Sequence, residues 1–133
     1  MHPYLTQAKL LRMAKENGLA VMAYSNFGPI SYVELGMSSM DDSILAKPEV
    51  QAIATAHNKT PAQVLLRYAV QRGTTAIPKS TKVERLVENM SVFDFNLSEE
   101  QVATIDGYNK NQRYNDPGNY AEPAFGCFCP IYE

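Results

Sequence analysis

Lys79, Ser80, Arg85 and Asn89 are residues of this chain whose types and spacing could hold an anion. They stand in the run Ile77-Pro78-Lys79-Ser80, which continues through Glu84-Arg85 to Glu88-Asn89. A short apolar stretch stops at Pro78. A lysine and a hydroxyl follow, and a helical pattern begins at once, with Arg85 on its first turn and Asn89 one turn later. Free backbone N–H groups at a helix start attract anions, and cations placed over them strengthen that attraction. The combination suits a phosphate and suggests a nucleotide cofactor.

Positioning these residues takes a strand before them and a helix beneath them. Residues 74–77 read as a short buried strand, and Thr81-Lys82-Val83-Glu84 as a capping box opening a helix to about residue 90. Upstream, Thr60-Pro61 reads as an N-cap with proline at the first helical position. That helix runs to about residue 72, with Val64, Leu65, Tyr68 and Ala69 inward and Gly73 ending it. Pro48 suits the start of another helix, over 48–57. Residues 25–46 read as a long loop, of the kind that is usually functional in a compact domain. The continuous apolar run over 19–24 reads as a strand buried on both faces. Before it, Thr6 reads as the N-cap of a helix over 7–17 with Leu10, Leu11 and Ala14 on one face, and Gly18 as its stop. Ser98-Glu99-Glu100-Gln101 opens a last helix to about residue 107, and an irregular, aromatic-rich tail follows over 108–133. Alternating helices and buried strands imply a parallel α/β sheet with right-handed crossovers. Two strands cannot cover their own faces and edges, so the chain reads as part of a larger sheet.

Composition narrows the function classes. The 133 residues are 45% hydrophobic and 20% charged, ordinary for a globular domain. A net charge of -2 gives no general pull toward nucleic acid or an anionic membrane. No apolar run reaches the roughly 18 residues of a membrane span, and residues 1–7 lack signal-peptide character, so a cytoplasmic location is expected. Cys127 and Cys129 are too close for an unstrained disulfide and have no neighbouring histidines for zinc; no metal site is expected.

Several motifs, in order, resemble the aldo-keto reductase family, and aldose and xylose reductases in particular. His2-Pro3-Tyr4-Leu5-Thr6-Gln7 is similar to the end of the family's sixth barrel strand and the following turn, and Val21-Met22-Ala23-Tyr24-Ser25 to its seventh strand. The stretch from Asn58 to Arg67 is close to its seventh helix. Ile77-Pro78-Lys79-Ser80 with Glu84-Arg85 and Asn89 resembles its C-terminal signature, and Arg113-Tyr114-Asn115-Asp116-Pro117 the xylose reductase tail. The resemblance implies the C-terminal part of a (β/α)8 barrel, from the end of strand six through helix eight plus a C-terminal helix and tail. It divides into an NADP(H)-binding part over 1–107 and a substrate-loop tail over 108–133. Such barrels typically need about 250 residues.

The family reduces aldehydes and ketones by hydride transfer from a nicotinamide cofactor, usually NADPH. Its catalytic tyrosine, lysine, aspartate and histidine lie in the first half of the family sequence. No catalytic residue is therefore expected here, and the chain alone is expected to be inactive. By resemblance Lys79 contacts the 2′-phosphate of NADP(H), and Ser80 hydrogen-bonds it. Thr81 either joins that phosphate or serves as an N-cap. Arg85 stacks on adenine while reaching phosphate; Asn89, and more weakly Glu88, meet the adenine edge. Tyr24 stacks on the nicotinamide. Ser25 and Phe27 belong to the loop over the pyrophosphate, where Asn26 replaces a proline common in aldose reductases. Glu34 accepts from the adenosine ribose. Asn115 touches substrate hydroxyls, although Gly118 stands where xylose reductases carry a tryptophan. The implied partner is a small-molecule carbonyl substrate; a complementary N-terminal half-barrel or self-association would complete the sheet. The alternative is a truncated, non-catalytic module that at most binds NADP(H) or such a half-barrel.

Overall fold

The computed structural model describes residues 1–33, 38–114, 116, 118 and 126. In chain order it contains α1 (Ala8–Glu16), β1 (Val21–Ala23), α2 (Ile30–Val33), 3-10 turns at Met40–Asp42 and Ile44–Ala46, α3 (Pro48–Ala56), α4 (Pro61–Gln71), β2 (Thr74–Ala76), α5 (Val83–Met90) and α6 (Glu99–Asp106). β1 and β2 pair in parallel, with Val21 opposite Thr74 and Ala23 opposite Ala76.

α4 is the central element. Thr60 closes a complete capping box with Gln63, and Pro61 occupies the first turn. Val64, Leu65, Leu66 and Tyr68 are fully buried, as the 3.6-residue pattern requires. Val64, Leu65 and Tyr68 join Val50 and Ile53 of α3, Ile44 of the second 3-10 turn and Ile105 of α6 in one core. Aromatic residues complete it: Tyr4, Tyr32 and Tyr114, the last two stacked at 5.7 Å. The first residues of the tail fold back onto the N-terminal turn, where the N–H groups of Lys110 and Gln112 both donate to the Tyr4 carbonyl. Gly73 takes a φ of +83°, which lets α4 turn straight into β2.

Several local expectations are corrected. The strand over 19–24 is not buried on both faces: Ala23 is, but Leu19, Met22 and Tyr24 are 57%, 64% and 48% exposed. Residues alternate across a strand, and the face carrying Met22 and Thr75 has no covering layer among the described residues. Thr6 does not cap α1. Gln7 is the N-cap, in the left-handed region, while Thr6 is buried, donating its N–H to Asn109 and accepting at its carbonyl from Arg72. Only Ala14 of α1 is buried; Leu10 is 44% exposed. Thr81 makes no capping box, because Lys82 is the N-cap of α5. The stretch 25–46, expected as loop, carries α2 and the two 3-10 turns. On α5, Val83, Leu86, Val87 and Met90 form one exposed apolar stripe.

His2 sits under this fold, 6% exposed, with its Nδ1 unpartnered among the described residues. A side chain at Gly28, whose φ is +64°, would meet that nitrogen at 3.4 Å. Burial first, and the N-terminal ammonium second, push the imidazole down to about 4 from its usual 6.5. Between those values the unfolded chain binds a proton that the folded chain refuses, so stability falls as pH drops from 6.5 toward 4. His2→Gln should flatten this slope. Thermal melts at pH 7 and pH 4.5 check it: a wild-type loss no larger than the variant's would remove His2 as its cause.

Candidate cofactor site

Two strand exits build the site. After β1, Tyr24 lies half-exposed, its carbonyl accepting from the Met1 ammonium at 3.0 Å. Ser25 has a φ of 54°, a conformation that L side chains rarely adopt. It reverses the chain, and its carbonyl accepts from Gly28 N–H at 2.8 Å. Its hydroxyl shares a hydrogen bond with the Tyr32 phenol at 2.9 Å. Asn26 turns inward, 4% exposed, and its Oδ1 accepts from Ile77 N–H at 3.3 Å. One buried amide thus fastens the exit of β1 to the exit of β2.

After β2, Pro78 ends the strand pairing, since it has no N–H to offer. Ser80 accepts at its hydroxyl from Lys82 N–H at 3.1 Å, a local turn that leads into α5. Lys79 and Arg85 are exposed. The ion pairs among the described residues are Arg12–Glu16, Lys59–Asp94 and Arg72–Asp106, so neither cation is neutralised by a carboxylate. Glu88 accepts at its carboxylate from the Thr60 hydroxyl, across from α5 to the start of α4.

These residues share one cleft of about 880 Å³. Ser25 and Phe27 line it from the β1 side; Lys79, Ser80, Arg85, Glu88 and Asn89 line it from the β2 and α5 side. Two of the sequence-derived candidates stand apart: Tyr24 and Thr81 do not line this cleft. Glu34 and Asn115 lie outside the described residues. Among the described residues the charged lining is Lys79, Arg85 and Glu88, two positive and one negative. The two exposed cations on the β2 and α5 side favour an anionic ligand there. Ile30, Met40 and Leu45 give the cleft an apolar wall, and Thr60 with Pro61 brings the N-terminus of α4 to its border. Sequence reasoning missed Asn26, Thr60 and this apolar wall as site residues. A polar residue directly after a strand and a capping residue facing the cleft are weak local signals, and only their meeting in space makes them part of a site.

A second groove of about 590 Å³ lies along β2, α4 and α5. Among the described residues its lining is apolar apart from Thr74, Thr75 and Asn89, with no charged residue to receive phosphate. Among the described residues no group of histidine, cysteine, aspartate and glutamate could hold a metal ion, and no helix is long and apolar enough to cross a membrane.

The sequence model of the aldo/keto reductase family matches residues 1–110. The chain belongs to that family. It is 45% identical over 133 residues to an NAD(P)H-dependent D-xylose reductase of Aspergillus niger, covering 98% of this chain and 40% of the relative. It is 42% identical over 130 residues to an NAD(P)H-dependent D-xylose reductase of Kluyveromyces lactis, covering 96% of this chain and 40% of that one. The crystal structure of a Bombyx mori aldo-keto reductase in complex with NADP aligns with a TM-score of 0.78 at 34% identity, over 92% of this chain and 39% of that chain. The chain therefore spans about two-fifths of the length of these aldo/keto reductases. Its two parallel strands and their helices are the C-terminal part of the family's (β/α)8 barrel. The cleft then lies at the C-terminal ends of barrel strands, the face on which such barrels place their sites.

Proposed function

We propose that this chain is the cofactor-holding part of an NADP(H)-dependent reductase that converts aldehydes and ketones, aldoses among them, to alcohols. One observation carries the reading: Lys79, Ser80, Arg85, Glu88 and Asn89 converge with Ser25 and Phe27 on a single cleft whose two cations have no carboxylate partner among the described residues. The cofactor supplies the hydride when bound; this chain's residues bind and orient. Lys79 is a point charge for the 2′-phosphate, and the Arg85 guanidinium offers a flat face for adenine and a fork of donors for phosphate. The Asn89 amide, four residues on from Arg85, carries both donors and an acceptor for the adenine edge. Tyr24, half-exposed at the end of β1, presents a ring on which a nicotinamide stacks. Glu34 for the ribose and Asn115 for substrate hydroxyls complete the proposal from outside the described residues. None of these groups gives or takes the reacting proton.

A thermal-shift titration tests it. NADP+ should raise the melting temperature in a saturable way, and NAD+ at the same concentration should raise it much less. Equal shifts would remove the 2′-phosphate from the reading, and no shift with either would remove the cofactor.

A further inference from the structure

α4 presents three polar side chains at four-residue spacing, Gln63, Arg67 and Gln71, along one face. Gln63 grips the last turn of α5 and the residue after it, and Arg67 and Gln71 grip the segment that follows. Gln63 Nε2 donates to the carbonyls of Glu88 at 3.1 Å and Ser91 at 3.0 Å. Arg67 donates to the Val92 carbonyl at 3.2 Å and to the Asn96 side chain. Gln71 donates to the Leu97 carbonyl at 2.8 Å and accepts from the Leu97 N–H at 2.9 Å. The first rung differs from the others. Gln63 is 7% exposed, and its Oε1 also accepts from Thr60 N–H, at 3.0 Å. One buried amide therefore caps α4 and holds the last turn of α5. The Thr60 hydroxyl, in the same capping box, holds the Glu88 carboxylate.

α5 needs this hold. None of its residues is buried, so apolar packing does little to fix it within the described structure. Yet Arg85, Glu88 and Asn89 ride on it. A helix that carries ligand-binding groups but lacks a packed face takes its position from whatever bonds its backbone.

We propose that Gln63 is a positioning residue for the adenosine end of the cofactor cleft: it sets the place of α5, and through α5 that of Arg85 and Asn89, without touching ligand. This rests on the NADP(H) reading above. Gln63→Glu keeps an acceptor for the capping box while both donors to α5 are lost, and Gln63→Met removes the same donors without adding a charge. Buried acceptors left without donors cost enough to weaken binding about tenfold.

The experiment measures NADP+ and 2′,5′-ADP affinity by calorimetry on the full chain, for wild type, Gln63→Glu, Gln63→Met and, as control, Gln71→Met. The control breaks an equivalent rung, but at Leu97, seven residues beyond the end of α5 at Met90. Both Gln63 variants should lose about tenfold for either ligand, by the same factor, because the damage sits at the half the two ligands share. Gln71→Met should lower the melting temperature and leave both affinities unchanged. Wild-type affinity in folded Gln63→Glu, or an equal loss in Gln71→Met, would overturn the proposal. If both Gln63 variants fail to fold, amide exchange in the wild-type chain decides: NADP+ should slow exchange in the last turn of α5, and no slowing there overturns it. If wild type binds neither ligand, the cofactor reading fails first and this inference falls with it.

Discussion

Replacing Lys79 and Arg85 together by alanine should weaken NADP+ binding by about 100-fold and NAD+ binding by no more than about fivefold. The two side chains reach the cleft from different elements, the exit of β2 and the first turn of α5. A hydrogen bond to a charged group is worth about 1.5–3 kcal/mol, and exposure places each of these cations near the low end of that range. Two contacts of about 1.4 kcal/mol each multiply to about 100-fold. NAD+ lacks the 2′-phosphate, so it loses only the stacking of Arg85 on adenine, worth about 0.5–1 kcal/mol at an exposed site, and the general field of the cleft. Fluorescence titrations at low and moderate salt check both halves of the expectation. The NADP+ advantage should shrink as salt screens the exposed pairs. Parallel losses for the two nucleotides would move these cations to the pyrophosphate and away from the 2′-phosphate.

Leu65→Ala should remove about 3 kcal/mol of stability. Leu65 is 1% exposed and belongs to the cluster that joins α3, α4 and α6. Such truncations cost about 2–5 kcal/mol, from lost transfer energy and from the cavity left behind. Urea denaturation measures it as a lower midpoint at unchanged slope. Leu10→Ala is the matched control: the same atoms are deleted from a side chain that is 44% exposed, so the change should stay within about 0.5 kcal/mol. A comparable loss at both positions would mean that α1 is packed far more tightly than its exposure indicates.

What was legible in the sequence was local. The Thr60 cap, Pro61, the inward residues of α4 and the stop at Gly73 are signals within one helix, and the structure reproduces them. The Ser98 box did the same for α6. Lys79 to Asn89 fall within eleven residues, so strand end, turn and helix face were enough to group them. The opposite wall of the cleft comes from residues between Ser25 and Pro61, and nothing in their spacing announces that α2 and the 3-10 turns bring them there. Elements of three or four residues are too short to show a period. The start of α5 failed for another reason: Ser80, Thr81 and Lys82 stand in a row with two hydroxyls available, and the Ser80 bond to Lys82 settled which frame was used. The reading of residues 19–24 failed on context, because an apolar run reports that a strand is suited to burial and not which layers are at hand to bury it.

The register of the sheet bears on how the chain reaches this structure. Val21 lies opposite Thr74, a separation of 53 residues in sequence. Closing so long a loop is entropically costly, and three paired residues return little for it. The contacts between α3 and α4, and between α4 and β2, are much nearer in sequence. The helical pair with its following strand should therefore assemble early, and β1 should join late, onto an edge already in place. The cleft spans that last join, since Ser25 and Phe27 stand on one side of it and Lys79 and Arg85 on the other. Competence to hold a nucleotide is then among the final properties the folding chain acquires, and Asn26, bonded across the join to Ile77, marks its arrival.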